Sequence, residues 1–501
     1  MSIPLETTIT LPNGKTYVQP TGLFINNEFV ASIDKETLVS VNPATGEDIA
    51  TVYAASEKDV DAAVKAGREC FENVWSSVSG TEKGKLMLKL VALMEKHAEL
   101  LSDVEAMDSG KPRFTNAIYD INHCIDVVRY YAGWCDKSHG KQIPATEDKL
   151  IYTIHEPYGV CGQIIPWNYP LAMAIWKIAP AIASGNVVVM KSSENTPLSL
   201  YMLCNLVKEA GFPPGVINVI TGLGRVCGSA LASHLDVDKV SFTGSTLVGQ
   251  TIQKLASANL KAVTMECGGK SALVVFDDAR LDQAVKWAAF GIMYNMGQIC
   301  TAASRVYVHS SIYDEFVSKL KAHVEEIYLQ GDPFAENTQV GPQVSKVQQQ
   351  RVLGYIESGK AEGATLVTGG GVPKGFNEKS CFVQPTIFAD VTQSMKIVQE
   401  EIFGPVVVVS KFETEADALR LANDSSYGLG AYVFTENLRR AHVFARKVQS
   451  GQVWINCTNS SDFRAPFGGV KMSGFGRELG EYGLSMYTQS KAVHVNLTRD
   501  L

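Results

Sequence analysis

"VCGQIIPWNYPLAMAIWKIAPAIASGNVVVMK", residues 160 to 191, sets a helical stretch between two apolar runs, VCGQIIP and NVVVMK. Neither run alternates apolar with polar residues, so each needs cover on both faces, as strands of a parallel sheet do. The segment between them, from about Pro170 to Ala183, opens on a proline suited to a first helical turn. The pattern then repeats. VINVIT (216–221), KVSFTG (239–244) and AVTME (262–266) are further candidate strands. One helix is expected with Thr196 as cap and Pro197 in its first turn, and a short one after Gly224. Alternating strands and helices predict an α/β fold with a wound parallel sheet, a frequent host of nucleotides.

A second series follows: SALVVF (271–276), a helix from about Leu281, RVYVHS (305–310), a helix bearing Phe316, Leu320, Val324 and Ile327 on one face, then PVVVVSKF (405–412), GAYVFT (430–435) and QVWINC (452–457). Two such domains would meet near residues 266–271, and sites form at seams of this kind. Upstream, Leu86, Leu90, Leu93, Met94, His97 and Leu101 predict one long helix from about Lys83 to Met107, with another from Ile118 to Tyr131. The alternating stretches KLIYTIHEP (149–157) and YTQSKAVHVNL (487–497) read as strands of a detached arm, whose open edge favours self-association.

With 46% apolar and 19% charged residues, the 501-residue chain reads as an ordinary globular protein. A net charge of -7 without basic patches argues against nucleic acid, and the longest apolar runs are too interrupted to span a membrane. No targeting segment opens the chain, and the closing TRDL is no retention signal, so the cytoplasm is the expected compartment. Ten scattered cysteines without a C-x-x-C pair read as reduced thiols; with nine dispersed histidines and no H-E-x-x-H, no metal is expected.

Three stretches carry chemistry. In MECGGKSA, Glu266 closes an apolar strand and points toward the crevice where ligands of wound sheets sit. In PWNYP, Asn168 lies between Pro166 and Pro170, which stiffen the backbone and suit its amide to donating to an oxyanion. In MGQICTAASR, Cys300 has almost no bulky neighbours, which opens it to substrate and to backbone N–H groups. Each also has an ordinary reading alone: a solvated loop acid, an Asn turn, a buried inert thiol.

PWNYP, MKSSENTP, FTGSTLVG, MECGGKSA, GQICTAASR, EEIFGP and PFGGVKMSGFGRE follow one another along the chain. Together they resemble the NAD(P)-dependent aldehyde dehydrogenases, in the branch that hydrolyses its thioester rather than passing it to coenzyme A. The resemblance implies two wound parallel-sheet domains, one binding NAD (residues 19–136 and 160–267) and one catalytic (268–482), plus a small β oligomerisation arm (137–159 and 483–501). It implies that Cys300 attacks the aldehyde, Asn168 and the Cys300 N–H hold the oxyanion, Glu266 activates water, and Lys177 with Glu478 relays protons. For the cofactor it implies contacts from Ile164, Pro166, Trp167, Lys191, Glu194, Gly224, Gly228, Phe242, Gly244, Ser245, Gly268, Glu401 and Phe403. The spacing of Gly222, Gly224 and Gly228 departs from the usual dinucleotide fingerprint. A carboxylate at Glu194 accepts a ribose 2'-OH and repels a 2'-phosphate, favouring NAD over NADP. Glu266 favours water as acceptor and a free acid as product.

Tyr169, Trp176, Tyr294, Ile299, Thr301 and Phe467 match tunnel-lining positions. Aromatic walls accept broad aliphatic aldehydes such as acetaldehyde; a Tyr169/Trp176/Tyr294 box suits an aminoaldehyde or betaine aldehyde by cation-π attraction. Met293, Met296 and Cys267 depart from common family residues and bear on substrate range. A homodimer or homotetramer is expected by resemblance. Two other classes are weighed: an alcohol or ketone dehydrogenase, which needs no thiol, and a non-enzymatic, crystallin-like binding protein.

Overall fold

Residues 3–498 are described by the structure, a computed structural model. Each apolar run read between 160 and 266 forms a strand: Val160–Ile164, Val187–Ser192, Ile217–Thr221, Lys239–Thr243 and Ala262–Glu266. The first four are buried along their whole length, as cover on both faces requires. All five pair in parallel. Across the sheet the fifth strand lies beside the fourth, then come the first, second and third. The order reverses between Val160–Ile164 and Lys239–Thr243, and a crevice opens beyond their carboxyl ends.

Both edges of this sheet are antiparallel additions that the sequence patterns did not announce. Leu23–Ile25 and Glu28–Val30 extend one side. Gly474–Phe475, from the far end of the chain, pairs with Met265 and Glu266 on the other.

A second sheet takes Ala272–Val275, Arg305–His309, Thr386–Ala389, Val406–Phe412, Gly430–Phe434 and Gln452–Ile455 in parallel pairings, with Thr365–Thr368 antiparallel at one edge. Leu273, Val275, Val306 and Val407 pack on one face of it, and Ala272, Val274, Tyr307 and Ala431 on the other. The chain is thus an α/β protein with two wound, mainly parallel sheets. Strands Lys149–Pro157 and Thr488–Asn496 pair antiparallel over nine residues each, with Gln142–Ile143 alongside, and stand apart as a small β arm. Two N-terminal hairpins, Glu6–Thr10 with Thr16–Pro20 and Thr37–Val41 with Asp48–Tyr53, were not foreseen.

Three expectations need correction. The helix read over 83–107 is two, Gly80–Lys96 and Ala98–Ser109, broken at His97 where ψ is 12°. Every residue of the second from Leu101 to Ser109 is buried, including Asp103, Glu105 and Asp108, so it is no amphipathic surface helix. Thr196 does not cap the next helix, Leu198–Ala210; the buried carboxylate of Asp108 accepts the Leu198 N–H at 2.8 Å instead. Phe316, Leu320 and Val324 are buried as read, but Ile327 at the end of Tyr313–Ile327 is 42% exposed. No helix among the described residues is long and apolar enough to cross a membrane.

Candidate active site at the seam of the two sheets

The crevice beyond the first sheet opens into a cavity of about 610 Å³ shared with the second. Glu266 is the last residue of its strand, and Cys267, Gly268 and Gly269 cross from one sheet to the other. Neither glycine of this crossing has room for a side chain. A Cβ at Gly268 would stand 2.2 Å from Glu401 Oε2, and one at Gly269 2.4 Å from the Cys300 carbonyl oxygen. The Gly269 N–H donates to Glu401 Oε1 at 2.9 Å.

Cys300 follows a strained turn. After the helix Leu281–Met293, Asn295, Met296 and Gly297 have φ of 47°, 55° and 70°. Such left-handed backbone costs about 1 kcal/mol or more at each non-glycine. Surrounding groups hold it there. Asn295 Nδ2 donates to the carbonyls of Asn168 (3.0 Å) and Gln298 (3.1 Å), Gln343 Nε2 donates to the Met296 carbonyl (3.3 Å), and the Val344 N–H donates to Gln298 Oε1 (3.0 Å). A Cβ at Gly297 would meet the Gly404 carbonyl oxygen at 2.0 Å, which accounts for the missing bulk before the thiol. Cys300 is left half-buried on the cavity wall. Burial raises its thiol above the ordinary value, Glu266 and Glu401 raise it further, and the Thr301 and Cys300 N–H groups oppose them.

Asn168 Nδ2 donates to the Gln298 carbonyl at 2.9 Å, which fixes the amide against the loop that carries Cys300. An amide nitrogen has two hydrogens, and the second has no partner among the described residues. Glu266 is buried, and neither carboxyl oxygen has a hydrogen-bond partner among the described residues. Burial lifts it well above the usual carboxylate range; Glu478 adds repulsion, while Lys177 and Arg477 oppose. Behind this wall Lys177, fully buried, pairs with Glu478 and donates to Thr243 Oγ1 at 2.6 Å. Glu478 lines the cavity and Lys177 does not.

Ile164, Pro166, Trp167, Phe242, Gly244, Ser245 and Gly268 line the cavity around the strand-order reversal. Ser245 caps the helix Thr246–Ala256. Lys191 Nζ pairs with the half-exposed Glu194 at 2.8 Å, and both reach the cavity with Gly224. Gly228 does not; it lies buried at the end of the turn Gly224–Gly228. Phe403, at φ 59°, stands edge-on to Trp167 with ring centroids 5.3 Å apart, and its carbonyl accepts from Gln348 Nε2 at 2.8 Å. Burial pushes Glu401 up to about 7 against the Gly269 N–H, Arg351 and Lys270. At the other end, Tyr169, Trp176, Tyr294, Ile299, Thr301 and Phe467 form the wall around Cys300, with Trp176 and Phe467 ring centroids 5.1 Å apart.

Residues 29–493 match the model of the aldehyde dehydrogenase family. The chain belongs to that family. It is 52% identical over 503 residues to aldehyde dehydrogenase [NAD(P)+] 1 of Saccharomyces cerevisiae, covering 99% of each chain. The NAD+ complex of an aldehyde dehydrogenase from Bacillus cereus superposes with a TM-score of 0.93 at 48% identity, covering 95% of this chain and 97% of that one. A betaine aldehyde dehydrogenase from Staphylococcus aureus, also with NAD+, gives 0.94 at 40% identity, covering 96% of each.

This aldehyde dehydrogenase has further wall residues that the sequence reading missed: Tyr119, Asp120, His123, Met173, Phe290, Asn459 and Ser461. Phe290 and Tyr294 stand four apart at a helix end, a spacing that could have signalled a shared face. Asp120 and His123 had no such signal. Asp120 pairs at 2.7 Å with Lys111, which is also 3.7 Å from Glu105, all three buried. The Lys111 ammonium lies 4.4 Å from the centroid of the Tyr169 ring.

Proposed function

We propose that the protein oxidises uncharged aldehydes, acetaldehyde and other aliphatic ones among them, to carboxylic acids, using NAD and a covalent thioester on Cys300. One observation carries the reading: a half-buried thiol and a buried, partnerless carboxyl group, Glu266, line one cavity with an amide donor at Asn168. Glu266, on the wall of the same cavity, takes the thiol proton as sulfur adds to the carbonyl carbon. The free N–H of Asn168 and the Cys300 N–H then stabilise the alkoxide. An aldehyde carbon does not readily release hydride while planar, whereas the alkoxide of the sulfur adduct expels it and leaves a thioester. Glu266 next takes a proton from water, whose oxygen attacks the thioester carbon; the acid departs and the thiol is restored. Lys177 and Glu478 carry the proton away from Glu266.

The crevice fits a dinucleotide: it lies at the strand-order reversal, and on its wall Gly224 has open space where a Cβ would stand. Lys191 and Glu194 would hold the adenosine ribose, Gly244 and Ser245 the pyrophosphate, and Glu401 with Phe403 the nicotinamide end. The bound cofactor supplies the hydride acceptor. The half-exposed carboxylate of Glu194 supports NAD over NADP.

A betaine aldehyde is the second reading, favoured by the aromatic wall and by the relative from Staphylococcus aureus. The Lys111 ammonium against Tyr169 counts against it, since that ring already faces a cation. The ten free cysteines suit the reducing cytoplasm. The open edge of Thr488–Asn496 supports a homodimer or homotetramer, checked by light scattering.

The test is NADH formation with acetaldehyde and with betaine aldehyde beside Cys300→Ala, together with mass spectrometry of acid-quenched enzyme. An acyl adduct on the Cys300 peptide and a loss of at least about 10³ in kcat for the variant are expected. Normal turnover without an adduct would end the proposal.

A further inference from the structure

His123 stands half-buried on the helix Ile118–Ala132, on the wall of the same cavity as Cys300. Its ring centroid is 5.7 Å from that of Trp176 and 6.3 Å from that of Phe463, both edge-on. Trp176 Nε1 donates to His123 Nε2 at 2.9 Å. An indole nitrogen can only donate, so Nε2 must offer a lone pair and the ring proton sits on Nδ1. Protonating the ring would set two N–H groups against each other. Burial lowers the ring's affinity for a second proton, and the carboxylates of Asp120, Asp126 and Asp462 oppose. Each of those carboxylates has its own cation: Lys111, Arg129 and Arg464. The imidazole is therefore a neutral donor with a fixed tautomer. Among the described residues, no protein group accepts from Nδ1.

We infer that His123 is a specificity-determining residue whose Nδ1–H selects aldehydes carrying a neutral oxygen acceptor, a hydroxyl or carbonyl, at the end remote from the reacting carbon. Tyr169, Trp176 and Tyr294 give the same cavity wall an aromatic stretch, with Asn459 and Ser461 as further polar lining residues. The positive end of the N–H dipole favours an oxygen lone pair, is indifferent to a methyl terminus and repels a quaternary ammonium. The inference rests on the aldehyde-oxidising reading and names the substrate class within it.

The test compares kcat/KM for straight-chain ω-hydroxyaldehydes with that for alkanals of equal heavy-atom count, in the wild type, H123F, H123M and H123Q. In the wild type the hydroxyaldehyde exceeds its alkanal partner by about fivefold at the chain length that reaches Nδ1, the return of one neutral hydrogen bond. H123F and H123M bring that ratio to about one. H123Q keeps it, because its amide oxygen accepts from Trp176 while its N–H donates to the substrate. A wild-type ratio near one at every length, or a ratio that survives in H123F or H123M, overturns the inference and leaves aldehyde oxidation standing. Failure of the wild type to oxidise either series overturns the aldehyde reading and this inference with it.

Discussion

Replacing Glu266 by glutamine is expected to weaken the enzyme and strengthen the fold. The carboxyl is buried with no hydrogen-bond partner, and its affinity for a proton lies well above the ordinary value of 4.5. The folded protein therefore holds this proton more tightly than the unfolded chain does. Stability from this group is full below the unfolded pKa and falls as pH rises, by about 1.4 kcal/mol per pH unit, until the folded value is passed. Glutamine does not titrate, so E266Q lacks this slope. Its thermal midpoint should sit close to the wild type's at pH 5 and rise above it as the pH increases toward the folded value. Activity should move the other way. Loss of the general base costs a factor of about 10³ in kcat, some 4 kcal/mol of barrier. Calorimetric scans at pH 5, 6, 7 and 8, paired with initial rates, test both halves. Parallel midpoint profiles would refute the electrostatic argument, and a kcat within tenfold of the wild type would refute the catalytic one.

Asn168→Ala should lower kcat by about 10² to 10³, the loss of one oxyanion donor, while the fold holds, because Asn295 Nδ2 still ties the Gln298 carbonyl at 3.1 Å; a comparable fall in thermal stability would show the amide to be structural. Lys111→Met strips the buried carboxylates Asp120 and Glu105 of their cation, and breaking such a group costs about 3 to 5 kcal/mol; urea denaturation should show that loss. Glu194→Gln should raise the ratio of kcat/KM for NADP over NAD about tenfold by removing a charge that repels the 2'-phosphate, measured as initial rates with each cofactor.

How much of the fold is legible in the sequence follows from how far each signal reaches along the chain. The strands between 160 and 266 announce themselves because burial on both faces leaves almost nothing but apolar residues. The break at His97 is invisible, since the apolar spacing of Leu93, Met94 and Leu101 runs through it. The cap on Leu198 comes from Asp108, ninety positions away, and nothing near Thr196 reveals it. Strand Thr365–Thr368 is short and exposed over its first half, so it has no apolar run to betray it. At the site, Glu266, Asn168 and Cys300 stand out because unusual local backbone is written as glycine, proline and small residues. Lys177 was read beside them, yet its side chain stays behind the wall and meets the lining residues Glu478 and Thr243. Asp120 and His123 are read as ordinary helix residues until the two sheets come together.

The two-residue strand Gly474–Phe475 has a consequence for biogenesis. It pairs with Met265 and Glu266, so the edge that carries this carboxyl group is closed by a segment translated long after it. A nascent polypeptide on the ribosome can form the other strands of that layer long before, yet the last position of the carboxylate awaits the arrival of Gly474. The surroundings of Glu266 are thereby finished only once that later segment has emerged.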